Sequence, residues 1–197
     1  MKKNMMIKTL IKRVIRRLIA TAALMMLVTT LSSHKRHLMT ELDRESLFES
    51  RLDTYIDSVY QNSEKRRYPY RCPAGYLTVG VGHKFNDETE AESLTYPLSD
   101  RDIKKILRKD FETKMLRAKE IHPDLSGWEL IAITDFICSI GQGAYSKSSV
   151  RREVDEGVEP TSILKYVWFK STSGEYVRAN SILRKRQRQL EVFRKGV

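Results

Sequence analysis

Cysteine is nearly absent: 197 residues hold two, Cys72 and Cys138. That excludes a disulfide scaffold and a cysteine-rich zinc module. Nine glycines and five prolines exclude a collagen-like or low-complexity chain. Acidic side chains are missing from positions 1–37, where nine Lys and Arg stand without a counter-charge. Outside that segment 27 basic residues face 25 acidic ones, a balance of +2 against +11 for the whole chain. The basic character belongs to a leader, so the remainder has little electrostatic footing for nucleic acid, and none is expected as a partner. His34, His37, His83 and His122 show no metal-ligand spacing, so no metal is expected. What is present is 41% hydrophobic residues, enough for a folded core, and a length that suits one domain with an extension.

Within the leader, Leu18 to Ser33 reads LIATAALMMLVTTLSS, sixteen residues without a charge. A basic segment followed by an apolar run is the pattern of an export signal. The basic flank stays on the cytoplasmic side and sends the C-terminal part outward. The run is short beside the roughly 17–25 residues of a spanning helix, and Ala and Thr dilute it. Three readings follow: a cleaved signal, though no clean A-x-A site precedes His34; a retained, weakly held signal anchor; or a buried or amphipathic helix of a cytosolic protein. The anchor is the leading expectation. It divides the chain into a leader at 1–37 with a membrane helix at about 18–33, a charged linker at 38–45 and a folded domain at 46–197.

Apolar periodicity then sets the elements. Leu47, Phe48, Leu52, Tyr55, Ile56, Val59 and Tyr60 recur at helical spacing over 46–62. Around Gly75, residues 76–81 are β-branched and aromatic, which predicts short strands about a turn. Residues 86–97 read as an acidic loop. Ser99 and Asp102 form a capping-box pattern opening a helix to about Ile121, striped by Ile103, Ile106, Leu107, Phe111, Met115 and Ala118. Ser126 caps a helix from Trp128 to Ile140 that is apolar almost all round, the candidate central helix, with Gly141 ending it. That face makes Cys138 a core thiol. Short helices are expected at 145–156 and 162–169, a turn at 171–174, and a basic final helix at 180–194. The fold class is α+β, a small antiparallel sheet lobe plus a larger helical lobe, preceded by the N-terminal membrane helix.

Chemistry concentrates at 64–83, with Glu64, Cys72, Thr78 and His83 around a turn and a glycine-rich strand. Gly80 and Gly82 leave one strand face bare for an extended ligand. The segment CPAGYLTVGVGH resembles the active-site signature of phage-type lysozymes, the glycoside hydrolases of phage endolysins. That family places a Glu at a helix end, then Asp or Cys, then Thr, then Gly-x-Gly-His. DFICSIGQGAYSKSSV, which contains Ser139, and Trp168 with the closing basic helix resemble later family elements in order, so the likeness runs over roughly 46–196.

The resemblance implies a lysozyme-like fold and roles residue by residue. Glu64 takes the general-acid position, Cys72 and Thr78 the water-handling positions, and His83 a hydrogen-bonded scaffold role. The family has nine residues from Glu to Asp or Cys and a Gly after the Glu; here there are eight, and Lys65 follows. Keeping nine would put Ser63 there, and Glu49 is a remote alternative. An Arg of the final helix lies near the catalytic Glu in family members; Arg184 and Arg186 are the candidates, with Lys185 at the best-aligned position. Ser139 and Trp168 join His83, Gly80 and Gly82 as supporting or substrate-binding residues.

Acid catalysis needs a proton delivered to the leaving oxygen, and a partly desolvated Glu holds that proton. The resemblance implies inversion, with water attacking from the far face and Cys72 acting as thiolate or positioning group. No cofactor is required. The implied substrate is peptidoglycan, cut at the β-1,4 bond between N-acetylmuramic acid and N-acetylglucosamine by a monomer at the periplasmic face of the inner membrane, with lysis as the outcome. The leader is similar to signal-arrest-release anchors, although it holds no Cys to restrain Cys72. Alternatives remain: a lytic transglycosylase using Glu64 alone, or a non-catalytic, membrane-tethered wall-binding or interaction protein, which the missing Gly and the shortened spacing leave open; Glu64 by itself also reads as a surface carboxylate paired to Arg66 or Arg67. A Cys72–Cys138 disulfide is a further alternative, and it would disable the thiol.

Overall fold

The computed structural model describes the backbone of residues 2–196 and the side chains of residues 25–27, 29–33, 35 and 37–196. The chain forms two compact units, Met1–Glu49 and Ser50–Val197. The first is helical and belongs to α1 (Lys2–Gln61). The segment 38–45, expected as a linker, is part of this helix. Leu47, expected on the buried stripe, is exposed, as are Leu38, Met39 and Leu42. Much of the apolar run at 18–33 lies outside the described side chains. Among the described residues no helix is long and apolar enough to cross a membrane.

In the second unit the last turns of α1 bury Leu52, Tyr55, Ile56, Val59 and Tyr60, as their spacing predicts. An antiparallel sheet follows in the order β1 (Arg66–Arg71), β2 (Leu77–Gly80) and β3 (His83–Lys84). Its register slips between Arg66 and Tyr70, where Pro69 removes a ladder donor. The expected acidic loop contains α2 (Glu88–Glu92), because Asp87 accepts from Glu90 N and caps it. The Ser99–Asp102 capping box is present and opens α3 (Asp100–Ile121). Tyr60, Val79, Phe85, Ala91, Leu98 and Ile103 close the core beneath the sheet.

The central helix α4 (Gly127–Ile140) is buried without a break from Leu130 to Ile137. Gly141 ends it at φ 82°; Ser126 stands at its N-cap without a side-chain bond. Cys138 falls just beyond the buried run, and its residue is exposed. The helix expected at 145–156 is two, α5 (Gln142–Tyr145) and α6 (Ser149–Asp155), because Ser148 accepts from Arg151 N and starts a new helix. The helix expected at 162–169 is also corrected. A 3₁₀ turn (Thr161–Lys165) leads into β4 (Trp168–Lys170), which pairs with β5 (Tyr176–Arg178). Its β-forming residues find a partner strand across the Ser171–Gly174 turn, and pairing overrides the local helical spacing. The final helix is α7 (Asn180–Arg194), which buries Arg186, Gln189, Leu190, Val192 and Phe193.

Candidate active site

The β1–β2 connection is built around Cys72. Gly75 N donates to Cys72 O at 2.7 Å, and Cys72 N donates to Tyr76 O at 2.9 Å. Pro73 presets the turn, and Gly75 takes φ 87°, a conformation that a Cβ resists. Partial burial pushes the Cys72 thiol up, but the N–H groups of Ala74, Tyr76 and Gly75 and the Thr78 hydroxyl outweigh it. The thiol is held below its ordinary value. Thr78 is buried and also donates to Tyr76 O at 2.9 Å. Having one hydroxyl proton, it serves one acceptor at a time.

The register extends the site. Tyr70 lies opposite Thr78, and Thr78 opposite Lys84. Alternation puts these three on one sheet face, which Cys72 and Tyr76 continue into the turn. Lys84 Nζ sits 3.6 Å from the Tyr76 ring centroid. Tyr70, Tyr76 and Lys84 belong to no motif; their even-numbered parity with Cys72 and Thr78 is the one signal in the sequence that joins them to this face.

Glu64 follows the helix rather than ending it, since α1 stops at Gln61. Its side chain is 72% exposed, with Arg66 Nη2 2.7 Å from its carboxylate. The expected desolvated carboxyl is therefore not found: helix termination leaves Glu64 on the water side, and the anticipated Arg66 pair forms. Arg66 also lies over the Tyr70 ring, 5.3 Å from its centroid. Burial raises the Tyr70 phenol; Cys72 and Glu64 add to this and Arg66 opposes it. Tyr70 is thus within electrostatic reach of both groups.

His83 is placed between two carboxylates. Its Nδ1 is 2.8 Å from Asp110 Oδ2, and its Nε2 is 3.4 Å from Glu90 Oε1. The Asp110 hydrogen bond is the largest influence, and with both carboxylate charges it outweighs burial and raises the imidazole above its ordinary value. Gly80 is not a bare ligand face: it is buried, and a Cβ there would lie 3.4 Å from Ile103 Cγ2. Gly82, at φ 87°, is exposed in the β2–β3 turn with open space beside it. Glycine is required at both positions by positive φ.

Ser139 is exposed and donates to Asp135 O at 2.9 Å. Arg186 is corrected from a cleft cation to a structural one. It is buried, donates to Tyr166 O at 2.9 Å and Gln189 Oε1 at 2.9 Å, and lies over Phe136. Burial pulls its guanidinium down to about 10, so it stays charged at neutral pH. Arg184 is exposed on α7. Lys185 Nζ is 3.1 Å from Asp135 Oδ1. That carboxylate also accepts from Tyr55 Oη at 2.8 Å and Gln189 Nε2 at 2.7 Å. Trp168 is 55% exposed on β4. Both cysteines are free thiols. Among the described residues no group of three or more His, Cys, Asp or Glu could hold a metal ion.

A small sheet packed on a helical body, with the Cys72–Thr78 turn at the sheet's edge, defines a lysozyme-like α+β protein. Residues 61–189 match the phage lysozyme family, and the chain belongs to that family. Solved structures agree in fold. The muramidase domain of SpmX from Asticaccaulis excentricus is 20% identical with a TM-score of 0.57, covering 70% of this chain and 92% of that one. The endolysin of Escherichia coli O157:H7 phage FAHEc1 is 15% identical with a TM-score of 0.60, covering 72% and 91%. The active form of P1 phage endolysin Lyz is 19% identical with a TM-score of 0.52, covering 70% and 81%. At these identities the likeness is one of fold. A search of curated protein sequences gave no match.

Proposed function

We propose that this protein is a peptidoglycan muramidase that hydrolyses the β-1,4 bond between N-acetylmuramic acid and N-acetylglucosamine and so lyses bacterial cells. The observation that carries this reading is the β1–β2 hairpin, which sets the half-buried Cys72 thiol and the buried Thr78 on one face, in a chain of the phage lysozyme family. A bound glycan displaces Arg66 and covers Glu64, supplying the dry surroundings that the free protein lacks. Glu64 then gives its proton to the leaving oxygen as the glycosidic bond breaks. Water held near Thr78 attacks the anomeric carbon from the opposite face, and its proton passes to the Cys72 thiolate. Anomeric configuration inverts. Solvent exchange restores both groups.

The same reading takes the acid-free, basic-flanked leader as an export signal or weak anchor, which puts the enzyme at the periplasmic face where its substrate lies. Protease protection in spheroplasts tests that address. The activity is tested by mass spectrometry of purified peptidoglycan after digestion with the full chain. New reducing-end muramic acid is the expected product, and it is lost in Glu64→Gln. Anhydro-muramic ends would instead identify a transglycosylase. Binding without cleavage would identify a wall-binding protein, the reading that the exposed Glu64–Arg66 pair favours.

A further inference from the structure

The hairpin β4–β5 has a face that the proposed chemistry does not use. Its register pairs Trp168 with Arg178 and Lys170 with Tyr176. Opposed residues share a face, and residues two apart share it too, so these four side chains lie together. All four are exposed, Trp168 at 55% and Tyr176 at 72%. The face is thus two aromatic rings set diagonally, each directly across from a cation. The hairpin also reaches the site. A Cβ built on Gly75, inside the Cys72 turn, would lie 3.4 Å from Thr172 Cγ2 in the β4–β5 turn. Thr172 thus stands beside the Cys72 turn.

We infer that the Trp168–Lys170–Tyr176–Arg178 face is a second binding surface for the substrate, a subsite for a peptide-bearing glycan strand that continues past the Cys72 turn. This rests on the muramidase reading. Aromatic rings offer flat apolar surfaces to the C–H faces of amino-sugar rings while leaving their polar edges free. Lys170 and Arg178 supply the charge that the carboxylates of the stem peptides complement. The β4–β5 turn stands beside Gly75, which places the surface next to the candidate site. Cross-strand aromatic–cation pairs also stabilise a hairpin by themselves, so the test must read binding rather than stability.

The experiment measures sedimentation isotherms of the full-length Glu64→Gln protein on purified sacculi, intact and stripped of stem peptides by an amidase. The comparison variants are Trp168→Ala/Tyr176→Ala and Lys170→Gln/Arg178→Gln in the same background. The charge variant keeps the aromatic surface, and circular dichroism checks the fold of both. The expected result is a loss of affinity of about tenfold or more for each variant on intact sacculi. The charge variant loses little further on stripped sacculi, whereas the parent falls to its level. Unchanged affinity in both folded variants overturns the inference. Equal parental affinity for intact and stripped sacculi overturns the role of the cations. Separate cleavage assays on the wild type distinguish the two readings: cleavage without dependence on the hairpin sinks only this inference. Hairpin-dependent binding without cleavage sinks only the enzyme reading, and neither binding nor cleavage sinks both.

Discussion

Alkylation by iodoacetamide at pH 8 is expected to mark Cys72 faster than Cys138, on thiolate populations and intrinsic nucleophilicity together. Desolvation and the Asp135 charge push the Cys138 thiol up to about 12, although part of the residue is exposed. At pH 8 that leaves about one sulfur in ten thousand ionised. An ordinary thiol is roughly a quarter ionised there, and the Cys72 thiol is shifted toward the thiolate. The populations therefore favour Cys72. A more basic thiolate is the better nucleophile, with a Brønsted slope near 0.4–0.5, so Cys138 recovers only part of that difference. Intact-mass kinetics on the Cys72→Ser and Cys138→Ser single-thiol proteins give each rate from pH 6 to 10. The Cys72 rate should level off within this range, while the Cys138 rate keeps rising about tenfold per unit. Equal rates at pH 8, or a Cys72 rate still climbing tenfold per unit at pH 10, would show that the Cys72 thiol is not shifted toward the thiolate. Loss of peptidoglycan cleavage in step with Cys72 modification ties the thiol to the proposed chemistry.

Other outcomes follow from the packing. Asp135→Ala strands Lys185, Tyr55 and Gln189 around an empty buried site and should cost about 3–5 kcal/mol in urea unfolding; a cost under about 1 kcal/mol would show that the cluster is not coupled. Burial raises the Asp135 carboxyl, but Lys185, Gln189 and Tyr55 outweigh it and hold it lowered. Its stabilisation is present above the unfolded value of about 3.9 and is lost as pH falls through the folded one. His83→Gln works in the opposite sense, because its folded value is raised by Asp110 and Glu90. The charge contribution is complete below about pH 6.5 and fades as pH rises through the folded value, so the variant should lose more stability at pH 5.5 than at pH 9.5. Equal losses at both pH values would remove the ion-pair account. Gly80→Ala combines φ 63° with a 3.4 Å approach to Ile103 and should cost about 1–3 kcal/mol; a change within 0.5 kcal/mol by thermal denaturation would contradict it.

Local signals sufficed where the chain's own chemistry sets the structure. The Ser99 capping box, the end of α4 at Gly141 and the span of α7 over Asn180–Arg194 were legible because caps, left-handed glycines and helical stripes act within a few residues. The Cys72 turn was legible for the same reason: proline, glycine and the flanking strand residues specify it locally. Only tertiary structure decided what depends on partners far along the chain. Trp168 entered a strand because Arg178 lay across from it, and Cys138 reached an exposed edge because the buried face of α4 ends at Ile137. Arg186 became a core residue through Tyr166, Gln189 and Phe136 rather than a cleft cation. Glu64 was exposed where shelter was expected, since the desolvation of a carboxyl is set by the surfaces that close over it.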